Sequence, residues 1–317
     1  MRSLWQLCQD WGMANTGAGR YAPSPSGRLH LGNLRTALVA WLFARSTGRR
    51  FLMRIEDVDR ARDAGVADEQ LAEIAAIGID WDGEPVVQTE RRAAHEAAIA
   101  MLASRGLVYE CTCSRREILE APSAPHAAPG AYPGTCRKRT EQERADARAA
   151  IAPRLPALRL RSEITELSFE DMLLGEVTAS IDDFVLRRGD GAIAYNLAVV
   201  VDDADMGVDQ VVRGDDLASS TPRQMLLQRL LGLPTPVYAH VPLVLGPSGA
   251  RLAKRDGAVT LEDLAEQGVS AESVRDELAA SLGLSQPGES LTMAELLERF
   301  DPRRLPREAW VWGGATS

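Results

Sequence analysis

The sequence predicts an α/β protein: a parallel nucleotide-binding sheet with helices, interrupted by a cysteine-bearing insertion and followed by a small helical region. Three observations predict it. Residues 20–55 read as strand, helix and strand, the order of a parallel βαβ unit. Apolar strand character returns at 210–213 and 237–245, so the same sheet resumes after a long interval. Between these parts, residues 108–139 hold three of the four cysteines in a run of Pro, Ala and Gly too poor in apolar residues to form a core of its own.

Taken in order, residues 1–19 show no periodicity and form a tail, within which Met13 is an alternative start to Met1. Residues 20–25 read as a strand and turn, 32–46 as a helix and 50–55 as a strand, with helices at 65–77 and 90–105. The cysteine segment leads to a helix at 144–151. Residues 158–167 and 176–186 alternate as strands of an antiparallel sheet, and 187–191 is a turn. The apolar, β-branched run 192–201 reads as a buried strand, 221–231 as a helix and 237–245 as a strand. A polar Gly-flanked loop then precedes helices at 261–266, 271–282 and 293–300. The domains expected are the tail (1–19), the first half of a catalytic unit (20–107), an insertion (108–190), the second half (191–250) and a loop with a helical region (251–317).

Of 317 residues, 45% are hydrophobic and 26% charged, ordinary globular values, and the net charge of −9 excludes a protein that coats nucleic acid indiscriminately. No apolar run approaches the ~20 residues of a membrane span, and no secretory signal is evident. A cytoplasmic location is expected, where clustered cysteines point to metal binding and not to disulfides. Only Lys138 and Lys254 are lysines among 36 basic residues. Lysine is thus retained where a compact ammonium does what a planar guanidinium cannot.

His30, Gly32 and Asn33 stand where the chain enters a helix, a place where imidazole and backbone N–H groups can hold phosphates. Alone, such a tetrapeptide is an ordinary capping loop. Lys254, in the loop after Gly246, is suited to swing onto phosphates. Cys111, Cys113 and Cys136 supply three soft ligands for tetrahedral zinc, with one position left to fill. On chemistry alone His126 in the same loop is the usual fourth ligand. The basic run Arg137, Lys138, Arg139, Arg144 and Arg148 fits either a solvated face or tRNA phosphate contact.

Taken together these motifs resemble those of the class I aminoacyl-tRNA synthetases. HLGN at 30–33 stands for their HIGH motif, with Asn33 in place of the second histidine. RLAKR at 251–255 stands for KMSKS, with Arg251 and Ala253 as departures and Lys254 retained. Within that class, RYAPSPSGRLHLGNLRTAL, LMRIEDVDRAR, AYNLAVVVDD, RGDDL and AHVPLVLG, in order from Arg20 to about Val259, are similar to the glutamyl-tRNA synthetase group. The resemblance implies a Rossmann-like catalytic domain with a zinc-containing insertion and a stem-contact region. It implies ATP binding by His30, Gly32, Asn33 and Lys254, with His30 and Lys254 catalytic and Mg2+ accompanying ATP. For L-glutamate it implies a pocket of Arg20, Tyr21, Ala22, Pro23 and Ser24 with Glu56, Tyr195 and Arg213. There the two arginines face the two carboxylates and Glu56 takes the ammonium. It also offers Tyr132 as the fourth ligand to a structural Zn2+.

Full-length members of the group continue into an anticodon-binding domain, whereas 62 residues follow Arg255 here. The chain therefore resembles the short glutamyl-queuosine tRNA(Asp) synthetases. These activate glutamate and pass it to the queuosine base in the anticodon loop of tRNA(Asp). The expected partners are L-glutamate, ATP and queuosine-modified tRNA(Asp), with no membrane and a monomeric state. Two other functions stay open: a compact synthetase charging the 3′ end of tRNA(Glu), and a zinc-stabilised RNA-binding module without catalysis.

Overall fold

The computed structural model of the chain describes residues 17–120, 131–249, 252 and 259–313. At its centre lie strands β1 (Ala18–Tyr21), β2 (Arg50–Ile55), β3 (Val86–Val87), β9 (Val208–Gly214) and β10 (Val237–Val241). They form one sheet in the order β10-β9-β1-β2-β3, with every neighbouring pair parallel. The chain runs outward from β1 to β2 on one side, while β9 and β10 build the other. A crevice opens where the order reverses, beyond the carboxyl ends of β1 and β9.

Helix α1 (Leu31–Ser46) crosses from β1 to β2 and is apolar on nearly every side, because the sheet covers one face and the C-terminal helices the other. Phe43 meets Phe300 edge to face at 5.2 Å. The buried Arg35 donates to the Pro242 carbonyl and the Ser281 hydroxyl, both at 3.0 Å. Helices α8 (Leu261–Glu266), α9 (Ala271–Ser281) and α10 (Met293–Arg299) thus belong to the same core as the sheet. A Cβ on Gly19 would lie 2.8 Å from that of Ala44, so glycine lets β1 and α1 approach closely.

The run 192–201, expected as a strand, is instead the start of helix α6 (Tyr195–Asp205). Its residues from Leu197 to Asp203 are all buried, and an apolar run without exposed alternation does not separate a buried helix from a buried strand. The antiparallel region is also more divided than expected. Strands β4 (Val108–Cys111), β5 (Ala157–Leu160) and β8 (Val185–Arg187) form one sheet, while β6 (Glu166–Asp171) and β7 (Gly175–Ser180) form a separate hairpin. That hairpin lies against β10, with the rings of Phe169 and Tyr238 5.8 Å apart. The strand at 237–245 breaks at Pro242, which has no N–H for a ladder, into β10 and β11 (Val244–Leu245). Among the described residues no helix is long and apolar enough to cross a membrane.

Candidate active site

Four neighbouring parallel strands deliver polar side chains to one crevice: Arg20 from β1, Glu56 just past β2, Arg213 from β9 and His240 from β10. Tyr195 joins them from the first turn of α6. Arg20 is 4% exposed and Arg213 5%, so both guanidiniums are withdrawn from water, where an unpaired charge is expensive. The partners they have are specific. Arg20 Nε donates to Asp203 Oδ1 (3.3 Å), an atom shared with Arg54 Nη1 (2.6 Å), and Arg54 Nη2 reaches Glu56 Oε1 (2.9 Å). Burial pushes the Asp203 carboxyl up, but the Arg54 and Arg20 guanidiniums outweigh it and hold it below the usual range.

Arg213 is aimed by three bonds, from Nε to His240 Nε2 (3.1 Å), Nη1 to the Tyr195 hydroxyl (3.3 Å) and Nη2 to Thr221 Oγ1 (2.8 Å). His240 Nδ1 lies 2.6 Å from Asp171 Oδ2. Next to a carboxylate Nδ1 carries the ring proton, so Nε2 is the acceptor Arg213 requires. Burial lowers the histidine pKa and keeps the ring neutral. Burial also pushes Asp171 up, but the bonds from His240 and from the Leu173 and Leu174 amides keep it ionised.

Three guanidiniums meet three carboxylates, Asp203 and Glu56 directly and the ionised Asp171 through His240, so the pocket balances its own charge. The arrangement offers guanidiniums to carboxylates and one carboxylate to an ammonium.

The other expected pocket residues divide. The Pro23 carbonyl accepts the Glu56 amide (3.0 Å), and Gln70 Nε2 donates to the Ser24 and Gly27 carbonyls at 3.0 and 2.6 Å, propping the turn. Ala22 is half-buried and the Ser24 side chain exposed. The Tyr21 side chain is in the main core and its hydroxyl donates to the Asn33 carbonyl (3.1 Å), because successive strand residues face opposite ways and Arg20 takes the crevice side.

The start of α1 also differs in detail from expectation. His30 Nδ1 accepts the amides of Gly32 (3.1 Å) and Asn33 (3.3 Å), and Asn33 Oδ1 accepts the amide of His30 (3.2 Å). Those backbone donors are taken up by the cap. What the cap does is fix the imidazole, placing the proton on Nε2. A Cβ on Gly32 would meet the ring at 3.0 Å, which accounts for glycine there. Lys254 lies outside the described residues, as do Arg251, Ala253 and His126. The segments bracketing Lys254 are anchored at the same helix start. Leu252 is buried and donates its amide to Val244 (3.3 Å), while the Leu31 amide donates to Val259 (3.3 Å) and His30 bridges Thr260.

In the insertion, the Sγ atoms of Cys111, Cys113 and Cys136 lie within 4.8 Å of one another, and Cys113 and Cys136 are 3.6 Å apart. Two thiolates on one tetrahedral zinc stand about 3.8 Å apart at the usual Zn–S length, so the donor set fits that ion. The Tyr132 hydroxyl oxygen accepts from Cys111 Sγ (3.4 Å) and from the Cys136 amide (2.8 Å), which puts it at the edge of the cluster. The hydrogen bond from Cys111 draws the Cys136 thiol down to about 4.

The basic run after the cysteines is largely paired internally. Arg137 reaches Asp183 (2.6 Å), Arg139 reaches Thr112 Oγ1 (2.8 Å), and Arg144 and Arg148 pair with Glu141, Arg148 also with Glu110. Asp203, Arg54, His240, Asp171 and Thr221 went unassigned at the level of sequence. The signal for Arg54 and Asp203 was their place inside RIED and AYNLAVVVDD; nothing in the sequence linked Asp171 to the crevice.

A crevice at the switch point of a parallel sheet, with a capped His-x-Gly helix start and arginines paired with acids, agrees with the class that comparison with known proteins shows. The chain belongs to the class I tRNA synthetases of the E and Q type, whose catalytic-domain family matches residues 18–313. More particularly, it is 61% identical over 295 residues to the glutamyl-Q tRNA(Asp) synthetase of Nocardia farcinica, with 93% of each chain covered. It is 42% identical over 299 residues to the glutamate–tRNA ligase of Oleidesulfovibrio alaskensis, covering 92% of this chain and 62% of that one. The crystal structure of a glutamate tRNA ligase from Elizabethkingia meningosepticum in complex with its amino acid superposes with a TM-score of 0.79 at 25% identity. It covers 94% of this chain and 67% of that one.

Proposed function

We propose that this chain activates L-glutamate with ATP to glutamyl-adenylate and transfers the glutamyl group to the queuosine base in the anticodon loop of tRNA(Asp). The observation behind this reading is the 61% identity, along 93% of both chains, to a protein named for that activity. Two guanidiniums and a carboxylate in one crevice suit an amino acid with a second carboxylate.

In the first step a carboxylate oxygen of glutamate attacks the α-phosphorus and pyrophosphate leaves. Arg20 and Arg213 hold the carboxylates, Glu56 the ammonium, and Tyr195 hydrogen-bonds the ligand. Holding reactants in line supplies much of the acceleration, and stabilising the spreading phosphate charge much of the rest. His30, through its Nε2–H, and Lys254 stabilise that charge. Mg2+ enters with ATP and neutralises part of its charge. In the second step the acceptor hydroxyl oxygen bonds to the glutamyl carbonyl carbon, the bond to phosphate breaks, and AMP departs with the hydroxyl proton. Cys111, Cys113 and Cys136, closed by Tyr132, hold a structural Zn2+ that steadies the insertion. The chain works as a monomer in the cytoplasm.

Two assays test this. Glutamate-dependent ATP–pyrophosphate exchange without tRNA is expected, with Lys254→Ala abolishing it and leaving glutamate binding intact; silence in the wild type refutes activation. Glutamylation of tRNA(Asp) is expected only when queuosine is present. The 42% identity to a glutamate–tRNA ligase makes tRNA(Glu) the competing acceptor, and its charging in place of tRNA(Asp) would replace the proposed second step.

A further inference from the structure

Residues 22–29 join the glutamate pocket to the capped start of α1, and they belong to no strand. Pro23 and Pro25 offer no N–H there. Two side chains one turn apart on helix α2 (Ala67–Ala76) hold this backbone. Gln70 Nε2 donates to the Ser24 and Gly27 carbonyls, and Glu73 Oε2 accepts the Leu29 amide (3.0 Å). Both residues are buried. Residues three apart share one face of a helix, so α2 presents a short template along which the segment is laid. Its last contact falls next to His30.

Glu73 has a further partner. Its Oε1 lies 3.4 Å from Arg28 Nε, and Arg28 Nη2 reaches Glu262 Oε2 (2.8 Å). Glu262 stands in the first turn of α8. Among the described residues, three ties run in antiparallel order between residues 28–31 and 259–262: the Arg28 and Glu262 pair, the bridge between His30 and Thr260, and the Leu31 amide on the Val259 carbonyl (3.3 Å). One guanidinium therefore joins a buried carboxylate on α2 to an exposed one on α8, two residues from the imidazole. An exposed ion pair contributes little to stability, and a buried carboxylate is costly unless paired. A neutral glutamine at 73 would also accept the Leu29 amide. What a carboxylate adds there is its hold on Arg28.

We propose that Glu73 is a positioning residue for adenylate formation. It sets the Leu29 amide and, through Arg28, ties the His30 helix start to the head of α8, so that the imidazole and the chain following Lys254 are placed with respect to each other. The proposal rests on the activation step given above. Glu73 acts through its neighbours and not on substrate. Stabilising the spreading phosphate charge depends on exact placement of the donors, so loss of the tie should appear in turnover and not in glutamate binding.

The test is Glu73→Gln in the full chain, a change of charge at nearly equal volume. For glutamate-dependent ATP–pyrophosphate exchange, kcat should fall about tenfold while the KM for glutamate stays within about twofold, because Arg20 and Arg213 are held by other partners. Arg28→Met, which keeps an aliphatic stem, should lower kcat comparably. The double variant should be no slower than the slower single one, as for two groups that act as a unit. Arg28 is half-buried, and its variant carries the test if Glu73→Gln does not fold. A wild type without exchange overturns the activation step and this proposal with it. An active wild type whose kcat survives Arg28→Met overturns the proposal alone, as do losses that multiply in the double variant. A lowered melting temperature with kcat unchanged in Glu73→Gln would make the residue merely structural and overturns it as well.

Discussion

The glutamate pocket and the cysteine cluster solve one problem in opposite ways. In the pocket, buried charges are balanced by the protein itself: Asp203 serves Arg20 and Arg54, and Asp171 fixes the histidine that orients Arg213. The cluster has three sulfurs and a phenol gathered among few apolar neighbours, Tyr109 and Ile118 among them. Its geometry suits an ion that the protein must acquire. One region is organised in advance, whereas the other would draw its order from an ion bound to its sulfurs.

The contrast is broken most severely at Arg213. Arg213→Ala should cut glutamate-dependent exchange by about a hundredfold or more, because one carboxylate of the substrate is then buried without its partner. ATP should still bind, and steady-state titration of each substrate separates the two. A comparable KM for glutamate in the variant would end the assignment.

Cys136→Ser acts on the other side. Loss of a metal ligand should lower zinc content to well below one equivalent and open residues 108–160 to protease, with transfer to tRNA down about tenfold. Exchange should change by less than about threefold, since the glutamate pocket balances its own charge. Elemental analysis of the wild type showing no zinc would remove the contrast altogether.

A smaller effect is expected at His240. Its pKa lies below the usual 6.5 because burial disfavours the cation. The neutral ring is therefore the folded form, and the unfolded chain binds the extra proton first. The stability it contributes is complete above 6.5 and declines as pH falls from there to the folded-state value, whereas the acceptor for Arg213 is lost only as pH falls through that lower value. Asp171, held low, adds a second loss further down as it protonates. The KM for glutamate should rise as pH falls through the folded-state pKa of His240, below 6.5, and His240→Asn should raise KM about tenfold at neutral pH and flatten the profile. An unaltered profile in the variant would assign the acid limb to another group.

The least effect belongs to Gly32→Ala, whose methyl would press on the His30 ring. A displacement of a few tenths of an ångström should lower kcat about three- to tenfold with glutamate affinity unchanged. Full activity would mean that the imidazole need not be held where the cap puts it.

How legible all this was depends on distance along the chain. The order of the βαβ start was readable because periodicity and turn residues are local signals, although its first strand is Ala18–Tyr21, beginning within the expected tail and ending before residue 25. The charged pocket was readable as residue types within motifs, yet the bonds joining them were not. Arg20 and Asp203 are 183 residues apart, and Asp171 meets His240 across 69. The run 192–201 misled because a buried helix and a buried strand share one composition. The turn of the Tyr21 side chain into the core was not readable, because a motif does not say which face of a strand each member occupies.

Adjacent acids on α6 have a mechanical consequence. Asp202 engages Gln88, His95 and Arg91 on one side, and Asp203 engages Arg20 and Arg54 on another. Consecutive helical residues point about 100° apart, so the two bundles of bonds grip the helix from different directions. The helix is locked in rotation like a keyed shaft, and any turn about its axis would break both grips together.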